Sequence, residues 1–345
     1  MRLLILGGTG FLGPHIVETA VERGHEMTLF NRGRTNPHLF PDLEKLEGNR
    51  DPKIDEGLTP LEGREWDAVI DTSGYVPRLA TASAELLADA VKQYLFVSTI
   101  SVYPNEAFAN AGVDEETPVG VLEDETTEAI TNESYGPLKA LCEQAVERAL
   151  PGRTTIVRPG LIVGPGDPTD RFTYWPVRIS QGGETLAPSP SDLSVQFIDA
   201  RDLALFIIRL IEDGHHGVYH GTGPAEPLRM DEFLYGCKAA TAPDDPADFV
   251  WVDEDFLQEQ GVGAFFEMPL WIPGEAMRGF GQVSIARGRS VGLSFRPLAE
   301  TAHDTIEWHR AERPDDYVFG AQPGKGGLNP EKERAVLEAW RKREA

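Results

Sequence analysis

A tyrosine and a lysine four residues apart are the residues most suited to proton transfer. The chain reads Tyr135-Gly136-Pro137-Leu138-Lys139, and residues four apart lie on one face of a helix. An ammonium group beside a phenol favours the phenolate and lowers the pKa of the phenol. Such a phenol can exchange a proton with a substrate hydroxyl or carbonyl. Pro137 fits a helix that begins here, because proline is tolerated in the first turn.

A glycine-rich loop near residue 10 has the pattern of a phosphate-binding turn. Gly7-Gly8-Thr9-Gly10-Phe11-Leu12-Gly13 follows an apolar run and precedes an amphipathic stretch. The first glycine of the pattern permits a tight turn, the second lets the backbone approach a pyrophosphate, and the third allows close packing of helix on strand. The free N–H groups of the helix then face the phosphates. We therefore expect a dinucleotide to bind at Gly7, Thr9, Gly10, Phe11, Leu12 and Gly13.

The end of the second predicted strand bears on which dinucleotide binds. In dinucleotide folds an acidic residue here binds the ribose hydroxyls, whereas an arginine accommodates a 2′-phosphate. The chain reads Phe30-Asn31-Arg32-Gly33-Arg34, with two arginines and no acid. We therefore expect Asn31, Arg32 and Arg34 to bind NADP in preference to NAD. The alternative is that these arginines are solvated loop residues.

The glycine spacing and the Tyr-x-x-x-Lys pattern together resemble the short-chain dehydrogenase/reductase superfamily, specifically its extended NAD-dependent epimerase/dehydratase family. The resemblance covers roughly residues 1–210 well and the remainder loosely, and short C-terminal stretches are similar to a bacterial reductase-like branch. It implies that Tyr135 is the acid/base and that Lys139 activates Tyr135 and holds the nicotinamide ribose. Hydride would then move to or from the nicotinamide.

The same resemblance implies a third catalytic group. The segment Phe96-Val97-Ser98-Thr99-Ile100-Ser101-Val102-Tyr103 is similar to the family's Ser-Ser/Thr-x-x-Val-Tyr pattern, which places the substrate-binding hydroxyl on Thr99. Ser98 and Ser101 are the rival assignments, and either hydroxyl can instead satisfy backbone groups. Sugar-nucleotide dehydratases of the family carry Asp-Glu where this chain has Ile100-Ser101. The difference argues against elimination chemistry.

Further segments that we expect to border the cofactor follow the third, fourth and sixth predicted strands. They resemble the family's adenine-contacting segment, the crevice edge and the segment near the nicotinamide, and an ion pair is the alternative role of the arginine in the last. The expected cofactor-binding residues are Asn49, Arg50, Thr72, Ser73, Gly74, Arg158, Pro159 and Gly160. The polar, acidic residues 104–133 form a long segment that we interpret as a substrate wall or lid.

Short apolar runs alternate with amphipathic stretches in the first half of the chain, which predicts βαβ units and a parallel sheet. We expect an α/β fold with a doubly wound parallel Rossmann sheet of strand order 3-2-1-4-5-6-7 and a smaller C-terminal substrate lobe. The predicted strands are Leu3–Leu6, Glu26–Phe30, Trp66–Asp71, Tyr94–Ser98, Thr154–Arg158 and Ser194–Ile198, and the resemblance implies one more, third in chain order, before Gly48. The predicted helices are Phe11–Arg23, Ala80–Ala90, Lys139–Leu150 and Ala200–Glu212.

The regular alternation weakens after about residue 160 and returns once. We therefore assign residues 1–165 and 194–222 to the NAD(P)-binding domain, and residues 166–193 and 223–345 to the smaller lobe with its C-terminal helix. Asn329 and Pro330 can start that helix. The aromatic residues expected in the core of the smaller lobe, with pocket lining as the alternative, are Trp251, Trp271, Phe265 and Phe266.

The net charge restricts the partners. Acidic residues outnumber basic ones 56 to 32, for a net charge of −24. This balance disfavours a broad basic face for nucleic acid and docking to an anionic membrane. Without a signal segment or a long apolar run, we expect a cytoplasmic protein. Cys142 and Cys237 form no disulfide framework, and we interpret the cluster His215, His216 and His220 as a surface loop, so no metal is expected.

These patterns predict an NAD(P)-dependent oxidoreductase that acts on a carbonyl or hydroxyl group of a small molecule. A nucleotide-sugar epimerase is the alternative, and Arg171, Arg178 and Arg287 are possible donors to a sugar diphosphate. A catalytically reduced RNA-binding relative is the second alternative, because chloroplast stem-loop RNA-binding proteins resemble this chain at the end of the second strand. Relatives are often dimers, which makes a homodimer possible.

Overall fold

The computed structural model describes residues 1–241 and 245–344. Residues 242–244 and 345, which belong to the predicted smaller lobe, lie outside the described residues. The strands are β1 (Arg2–Leu6), β2 (Glu26–Asn31), β3 (Glu44–Glu47), β4 (Ala68–Asp71), β5 (Gln93–Val97), β6 (Thr154–Pro159), β7 (Ile162–Val163), β8 (Glu184–Pro188), β9 (Ser194–Asp199), β10 (Gly217–Gly221), β11 (Gly223–Arg229) and β12 (Asp248–Val252).

Ten α-helices occur in the described part of the chain. They are α1 (Leu12–Glu22), α2 (Pro77–Leu87), α3 (Tyr135–Ala149), α4 (Tyr174–Ser180), α5 (Ala200–Glu212), α6 (Met230–Thr241), α7 (Glu254–Glu259), α8 (Ala286–Ser290), α9 (Leu298–Glu312) and α10 (Pro330–Glu344). None of these helices combines the length and the apolar composition needed to cross a bilayer.

Seven parallel strands form the central sheet in the order β3-β2-β1-β4-β5-β6-β10. The predicted α/β fold and the order 3-2-1-4-5-6-7 are confirmed, with β10 as the seventh strand. Strands β1, β4 and β5 are almost entirely buried, as expected for parallel strands covered on both faces. Helices α1 and α5 cover one face of the sheet, and α2 and α3 cover the other.

The predicted strand Ser194–Ile198 exists as β9 but lies outside the central sheet. It pairs with β7 and with β11 in a separate three-stranded sheet. Helix α5 then carries the chain back, so that β10 pairs with β6. The sequence of β10, Gly217-Val218-Tyr219-His220-Gly221, has no continuous apolar run. It therefore lacks the signal that identifies a buried parallel strand.

A second hydrophobic core lies beyond the central sheet. It is formed by side chains from α4, α6, α7, α9 and α10 together with β8, and Trp175 and Trp271 are its largest fully buried members. Trp271 is thus a core residue, while Trp251 and Phe265 are half-buried and Phe266 is exposed. The proposed division of the chain into two lobes stays a prediction. Strand β9 pairs with β7, which was assigned to the NAD(P)-binding domain, and with β11, which was assigned to the smaller lobe.

Candidate functional site

The glycine loop joins β1 to α1 in a conformation that needs glycine. Gly7 has a φ of +116°, which L side chains rarely adopt. A Cβ on Gly13 would stand 2.6 Å from the carbonyl carbon of Gly8, so α1 packs directly on the loop. A Cβ on Gly10 would meet no atom within 4 Å, so the space in front of Gly10 is open. Gly7 thus permits the turn, and Gly13 permits close packing, although on the loop and not on the strand as predicted; the approach of Gly10 to a pyrophosphate stays a prediction.

Polar side chains from neighbouring strand ends hold this loop. Asn31 at the end of β2 donates from Nδ2 to the carbonyl of Gly7 over 3.0 Å. Thr72 and Ser73, after β4, donate their hydroxyls to the carbonyl of Leu6 over 3.0 and 3.2 Å. Thr9 is almost fully buried. These predicted cofactor residues therefore shape the loop from behind as well as lining the space in front of it.

Two connected cavities lie along the carboxyl ends of the central strands. We name them after one residue each: the Tyr135 cavity has a volume of about 470 Å³ and the Arg32 cavity one of about 340 Å³. They share the wall residues Gly7, Gly10, Ser73 and Tyr75. The glycine loop therefore lies where the two cavities join.

The Arg32 cavity contains most of the residues expected around the adenosine. Arg32 and Arg34 are exposed, and neither has an acidic ion-pair partner within residues 1–241 and 245–344. Asn49 lines the cavity, and its Oδ1 accepts a hydrogen bond from the backbone of Asp51 over 3.0 Å. Sequence reasoning missed Glu47, whose carboxylate lies 3.0 Å from the position of a Cβ on Gly33. The pairing of β3 with β2 places Glu47 next to the end of β2.

Arg50 has a different role from the predicted cofactor contact. Its guanidinium forms an ion pair with the fully buried Asp71 and donates to the hydroxyls of Ser73 and Ser83 over 3.1 and 2.9 Å. Burial alone would raise the pKa of Asp71, but the charge of Arg50 and its hydrogen bonds hold that pKa below its usual value. Arg50 lines the wall of the Arg32 cavity, and its two terminal nitrogens are used inside the protein, whereas its buried Nε has no partner among the described residues.

The Tyr135 cavity brings together the three predicted catalytic residues. Thr99 follows β5, and Tyr135 and Lys139 lie on the first turns of α3. The close approach depends on Gly136, because a Cβ there would overlap the carbonyl oxygen of Ser101. Helix α3 therefore begins directly against the segment that carries Thr99. Pro137 lies in the first turn, as predicted.

Lys139 is buried and directed at backbone carbonyl groups. Its Nζ donates to the carbonyls of Gly74 and Val97 over 2.7 Å each, and it lies 4.1 Å from the ring centre of Phe96. Burial lowers the pKa of Lys139 to about 8. Gly74 thus contributes to the site through its carbonyl oxygen.

The environment of Tyr135 differs from the predicted one. Burial raises the pKa of its phenol, Tyr75 raises it further, and a hydrogen bond with Thr99 and the charge of Arg171 oppose these effects. Lys139 is absent from these causes, because its ammonium is held by the two backbone carbonyls. The expected lowering of the phenol pKa by Lys139 is therefore not what the structure shows.

The three hydroxyl groups after β5, those of Ser98, Thr99 and Ser101, differ in their hydrogen bonds. Thr99 Oγ1 accepts from the backbone N–H of Ser101 over 3.1 Å and donates to Ser101 Oγ over 3.2 Å. Ser98 is buried, and its hydroxyl has no hydrogen-bond partner among the described residues. All three line the Tyr135 cavity. Thr99 is also the one of the three that lowers the pKa of the Tyr135 phenol, which favours it over Ser98 and Ser101.

Arg158 forms the buried ion pair that was the alternative to cofactor binding. It donates to Glu143 over 2.6 and 3.0 Å and to the hydroxyl of Tyr103 over 2.7 Å. Tyr103 in turn lies 2.6 Å from Nε2 of His220. The prediction that Arg158 reaches the cofactor is corrected, because its guanidinium is used behind the site. Its neighbours Pro159 and Gly160 do line the Tyr135 cavity.

Several other expectations meet a different outcome. No residue of 104–133 is among those that line the Tyr135 cavity, which argues against this segment as a substrate wall. Phe108 from this segment instead packs on Phe280, which does line the cavity. His220 is fully buried in β10, so the surface-loop interpretation is wrong for it. The described residues hold no cluster of potential metal ligands.

The sequence did not single out the loop after β7, which forms part of the wall of the Tyr135 cavity. Asp167, Thr169 and Arg171 line it there together with Phe265. Of the three arginines considered for a sugar diphosphate, Arg171 alone lines this cavity. Arg178 pairs with Glu333, and Arg287 pairs with Glu116. Only tertiary contacts distinguish Arg171, since no local pattern marks it.

Known proteins are similar to this chain in sequence and in fold. Residues 72–220 match the model of the NAD dependent epimerase/dehydratase family. The epimerase family protein SDR39U1 of Bos taurus is 28% identical over 253 residues, covering 68% of this chain and 78% of that protein. Human SDR39U1, solved with NADPH, is 22% identical with a TM-score of 0.59, over 89% of this chain and 99% of that one.

A further solved structure has the same fold with a different nucleotide. The Bordetella bronchiseptica enzyme WbmH, in complex with NAD⁺, is 19% identical with a TM-score of 0.60, over 90% of this chain and 99% of that one. The family match lies on the segment that contains Thr99, Tyr135 and Lys139. The family match therefore covers residues 72–220 of this chain, and the solved structures share its fold.

Proposed function

We propose that this protein is an NADP(H)-dependent oxidoreductase that interconverts a carbonyl and a hydroxyl group of a small molecule. The observation that carries the proposal is the Tyr135 cavity. Its walls bring the hydroxyls of Thr99 and Tyr135 and the ammonium of Lys139 next to the glycine loop. The family match alone would not support the proposal, because one fold hosts many activities.

The two cavities suit an extended dinucleotide. They lie outside the carboxyl ends of the strands, where the strand order reverses between β1 and β4. The open space at Gly10 leaves the N-terminus of α1 accessible to a diphosphate. Arg32 and Arg34 would hold a 2′-phosphate, and Lys139 would hold the hydroxyls of the nicotinamide ribose. The unpartnered hydroxyl of Ser98 is a further donor on this wall.

When bound, the nicotinamide supplies or accepts a hydride, so that a ketone, NADPH and a proton balance an alcohol and NADP⁺. Tyr135 supplies that proton from its phenol to the substrate oxygen, and Thr99 hydrogen-bonds the same oxygen. Because burial raises the pKa of Tyr135, the phenol is protonated at neutral pH and suits reduction. Its hydrogen bond with Thr99 and the charge of Arg171 assist proton loss in the reverse direction.

A cofactor titration tests the nucleotide preference. Wild-type protein should bind NADPH more tightly than NADH in a fluorescence titration. Replacing Arg32 and Arg34 with alanine should weaken NADPH binding about tenfold to a hundredfold, the range expected for charge-assisted hydrogen bonds, and leave NADH binding nearly unchanged. Arg229→Ala, on an exposed ion pair with Asp231, is the matched control. Equal or tighter binding of NADH by the wild type would refute the Arg32 and Arg34 assignment.

Turnover tests the role of Tyr135 on a substrate found by screening carbonyl compounds. Tyr135→Phe should lower kcat about 10²- to 10⁴-fold, the usual contribution of general acid catalysis, with NADPH affinity unchanged. Tyr75→Phe removes a hydroxyl from the neighbouring ring, whose centre is 6.5 Å away, and should keep most of the activity. Full turnover by Tyr135→Phe would contradict the proposed function.

A nucleotide-sugar epimerase is the second candidate, and the observation that favours it is the cationic Arg171 on the wall of the Tyr135 cavity. An epimerase restores its cofactor at the end of each cycle. Incubation with UDP-glucose and a trace of NAD⁺ would then yield an epimerised sugar without net change in nicotinamide absorbance. A reductase instead consumes NADPH in proportion to product.

A further inference from the structure

The loop between β7 and α4 carries a chain of hydrogen bonds that ends in the Tyr135 cavity. Thr169 donates its hydroxyl to Oδ1 of Asp167 over 2.7 Å and accepts from Nε of Arg171 over 3.1 Å. The backbone N–H of Thr169 donates to the same Asp167 oxygen over 2.8 Å. The Arg171 side chain is therefore anchored through Nε, on one edge of the guanidinium.

The other edge of that guanidinium is available to a ligand. Neither terminal nitrogen of Arg171 has a hydrogen-bond or ion-pair partner in the part of the chain that the structure describes. The group lies 5.1 Å from the ring centre of Phe265, and both residues line the cavity. A planar pair of free N–H donors in a partly enclosed cavity matches a carboxylate.

A second polar group of this loop also lacks a partner. Asp167 is 1% exposed, and its Oδ2 has no hydrogen-bond partner among residues 1–241 and 245–344. Burial raises the pKa of this carboxyl group. A buried unpaired carboxyl oxygen is costly, so its presence on a residue that lines the same cavity as Arg171 indicates a site built for a polar ligand.

The loop is held in place from behind by the C-terminal part of the chain. Fully buried Asp170 forms an ion pair with Arg313 at 3.3 Å and accepts the hydroxyl of Tyr317. The backbone N–H of Gly326 donates to the carbonyl of Thr169 over 2.5 Å. We call these contacts the Asp170 clamp. It fixes the loop from outside the cavity, so Arg171 is preorganised for its ligand.

Much of the rest of the cavity wall is apolar. Its apolar side chains include Ile100, Leu161, Ile162, Phe265 and Phe280. Lys139 is the other cation of the cavity, and it already donates to two backbone carbonyls. The single free cation suits one carboxylate better than a diphosphate, which would call for several donors.

We propose that Arg171 binds the carboxylate of the substrate, and that the substrate is a compact oxo or hydroxy acid with an apolar body. The carboxylate would take the free face of Arg171, the apolar body would lie on Phe265 and Phe280, and the reacting oxygen would reach Tyr135. This assignment rests on the proposed oxidoreductase function and adds a substrate class to it. Asp167 acts as a positioning residue through Thr169.

The test compares acids with their neutral amides of nearly equal shape. Calorimetry of the full-length protein, with and without NADP⁺, is run with benzoylformate and benzoylformamide, 2-oxohexanoate and 2-oxohexanamide, and benzoylacetate and benzoylacetamide. At least one acid should bind ten times or more tighter than its amide, as a charge-assisted bidentate pair predicts. The proposal is overturned if no acid binds tighter than its amide.

Variants assign the difference to Arg171. Arg171→Gln should weaken binding of the preferred acid at least tenfold and leave its amide unchanged. Arg171→Lys keeps the charge without the planar fork and should lie between the two. Arg229→Gln, an exposed arginine outside the cavity, should change neither. Unchanged acid binding in Arg171→Gln would overturn the proposal even if the wild type prefers acids.

Two readouts separate this inference from the proposed function. If Arg171→Gln weakens NADPH binding as strongly as acid binding, the free face holds a cofactor phosphate, and the carboxylate assignment fails while the oxidoreductase survives. If the wild type binds the acids through Arg171 but binds no nicotinamide nucleotide, the proposed function fails and the anion site stands. The experiment without NADP⁺ makes this second outcome visible.

Discussion

The charge of Lys139 depends on pH near neutrality because the residue is buried in the site. Burial lowers its pKa to about 8, although carbonyl groups of Gly74 and Val97 hold its ammonium. The phenol of Tyr135 has a raised pKa. Between neutral pH and about pH 9, Lys139 is therefore the group that titrates, and Tyr135 remains a protonated donor.

A pH profile checks this order of titration. As the pH rises through about 8, Lys139 loses its positive charge, so kcat/KM for reduction should fall about tenfold per pH unit at the alkaline end. In Lys139→Met the activity should be lower throughout and this limb should disappear, because no titrating ammonium remains. Lys92→Met, at an exposed lysine paired with Asp67, serves as control. An alkaline limb unchanged in Lys139→Met would assign it to another group.

Residue identities at this site were partly readable from the sequence. The spacing of Tyr135 and Lys139 and the pattern around Thr99 mark residues that the fold does place on one cavity. The ion pairs of Arg50 and Arg158 could not be predicted, because their acidic partners Asp71 and Glu143 come from other elements. An arginine paired across 21 or 15 residues of chain looks the same in sequence as one that awaits a phosphate.

At the scale of elements, the contact between α3 and the end of β5 creates the site. Gly136 allows α3 to touch the backbone of Ser101, and this approach places Tyr135 beside Thr99. Sequence patterns predicted both elements within a few residues of their ends, because each has its own periodicity. They could not predict the distance between the elements, which depends on the missing side chain of one glycine.

Gly136→Ala should therefore damage both stability and activity. In an ordinary helix this substitution is favourable by about 1 kcal/mol, but the added methyl group would overlap the Ser101 carbonyl. We expect a net loss of about 1–3 kcal/mol in the free energy of unfolding, measured by urea denaturation, with a lower kcat. Gly263→Ala, at an exposed position near only the Glu267 side chain, is the control. Unchanged stability and kcat in Gly136→Ala would show that α3 can move away freely.

The strands of the sheet also divide into those that local sequence patterns predict and those that depend on contacts distant in sequence. Strands such as β1 and β5 are continuous apolar runs that the sequence predicts well. β10 carries two glycines and a histidine, and it is a strand because α5 returns the chain beside β6 and because Tyr103 and Ser284 bind His220. Because these partners are distant from β10 in sequence, no local sequence pattern predicts that β10 is a strand.

At the scale of the whole molecule, the net charge of −24 opposes the compact state. Many carboxylates are paired with arginines, as in the contacts of Arg78 with Asp51 and Glu128, but acids exceed bases by 24. The same surplus makes Arg32 and Arg34 a local exception near the dinucleotide cleft. A polyanionic cofactor would reach this protein against its long-range field, so we expect local donors to dominate binding.

Added salt should therefore stabilise the protein. Raising NaCl from roughly 0.02 M to 0.5 M shortens the Debye length from about 20 Å to about 4 Å and screens the repulsion between carboxylates. We expect the midpoint of thermal unfolding to rise by about 1–3 °C, a shift that corresponds to about 1 kcal/mol in a protein of this size. A midpoint that falls as NaCl is added would mean that attractive ion pairs outweigh the surplus charge. The same samples in size-exclusion chromatography test the predicted homodimer.

The Asp170 clamp has a consequence for how the protein is made. Its outer residues, Arg313, Tyr317 and Gly326, lie some 300 residues after the glycine loop. A ribosome adds about 5–20 residues per second, so the glycine loop leaves the ribosome on the order of tens of seconds before the residues of the Asp170 clamp. During that interval the nascent chain can form its first strands but cannot fix Arg171. Synthesis of the glycine loop, Arg32 and Arg34 therefore precedes synthesis of the residues that fix the loop of Arg171.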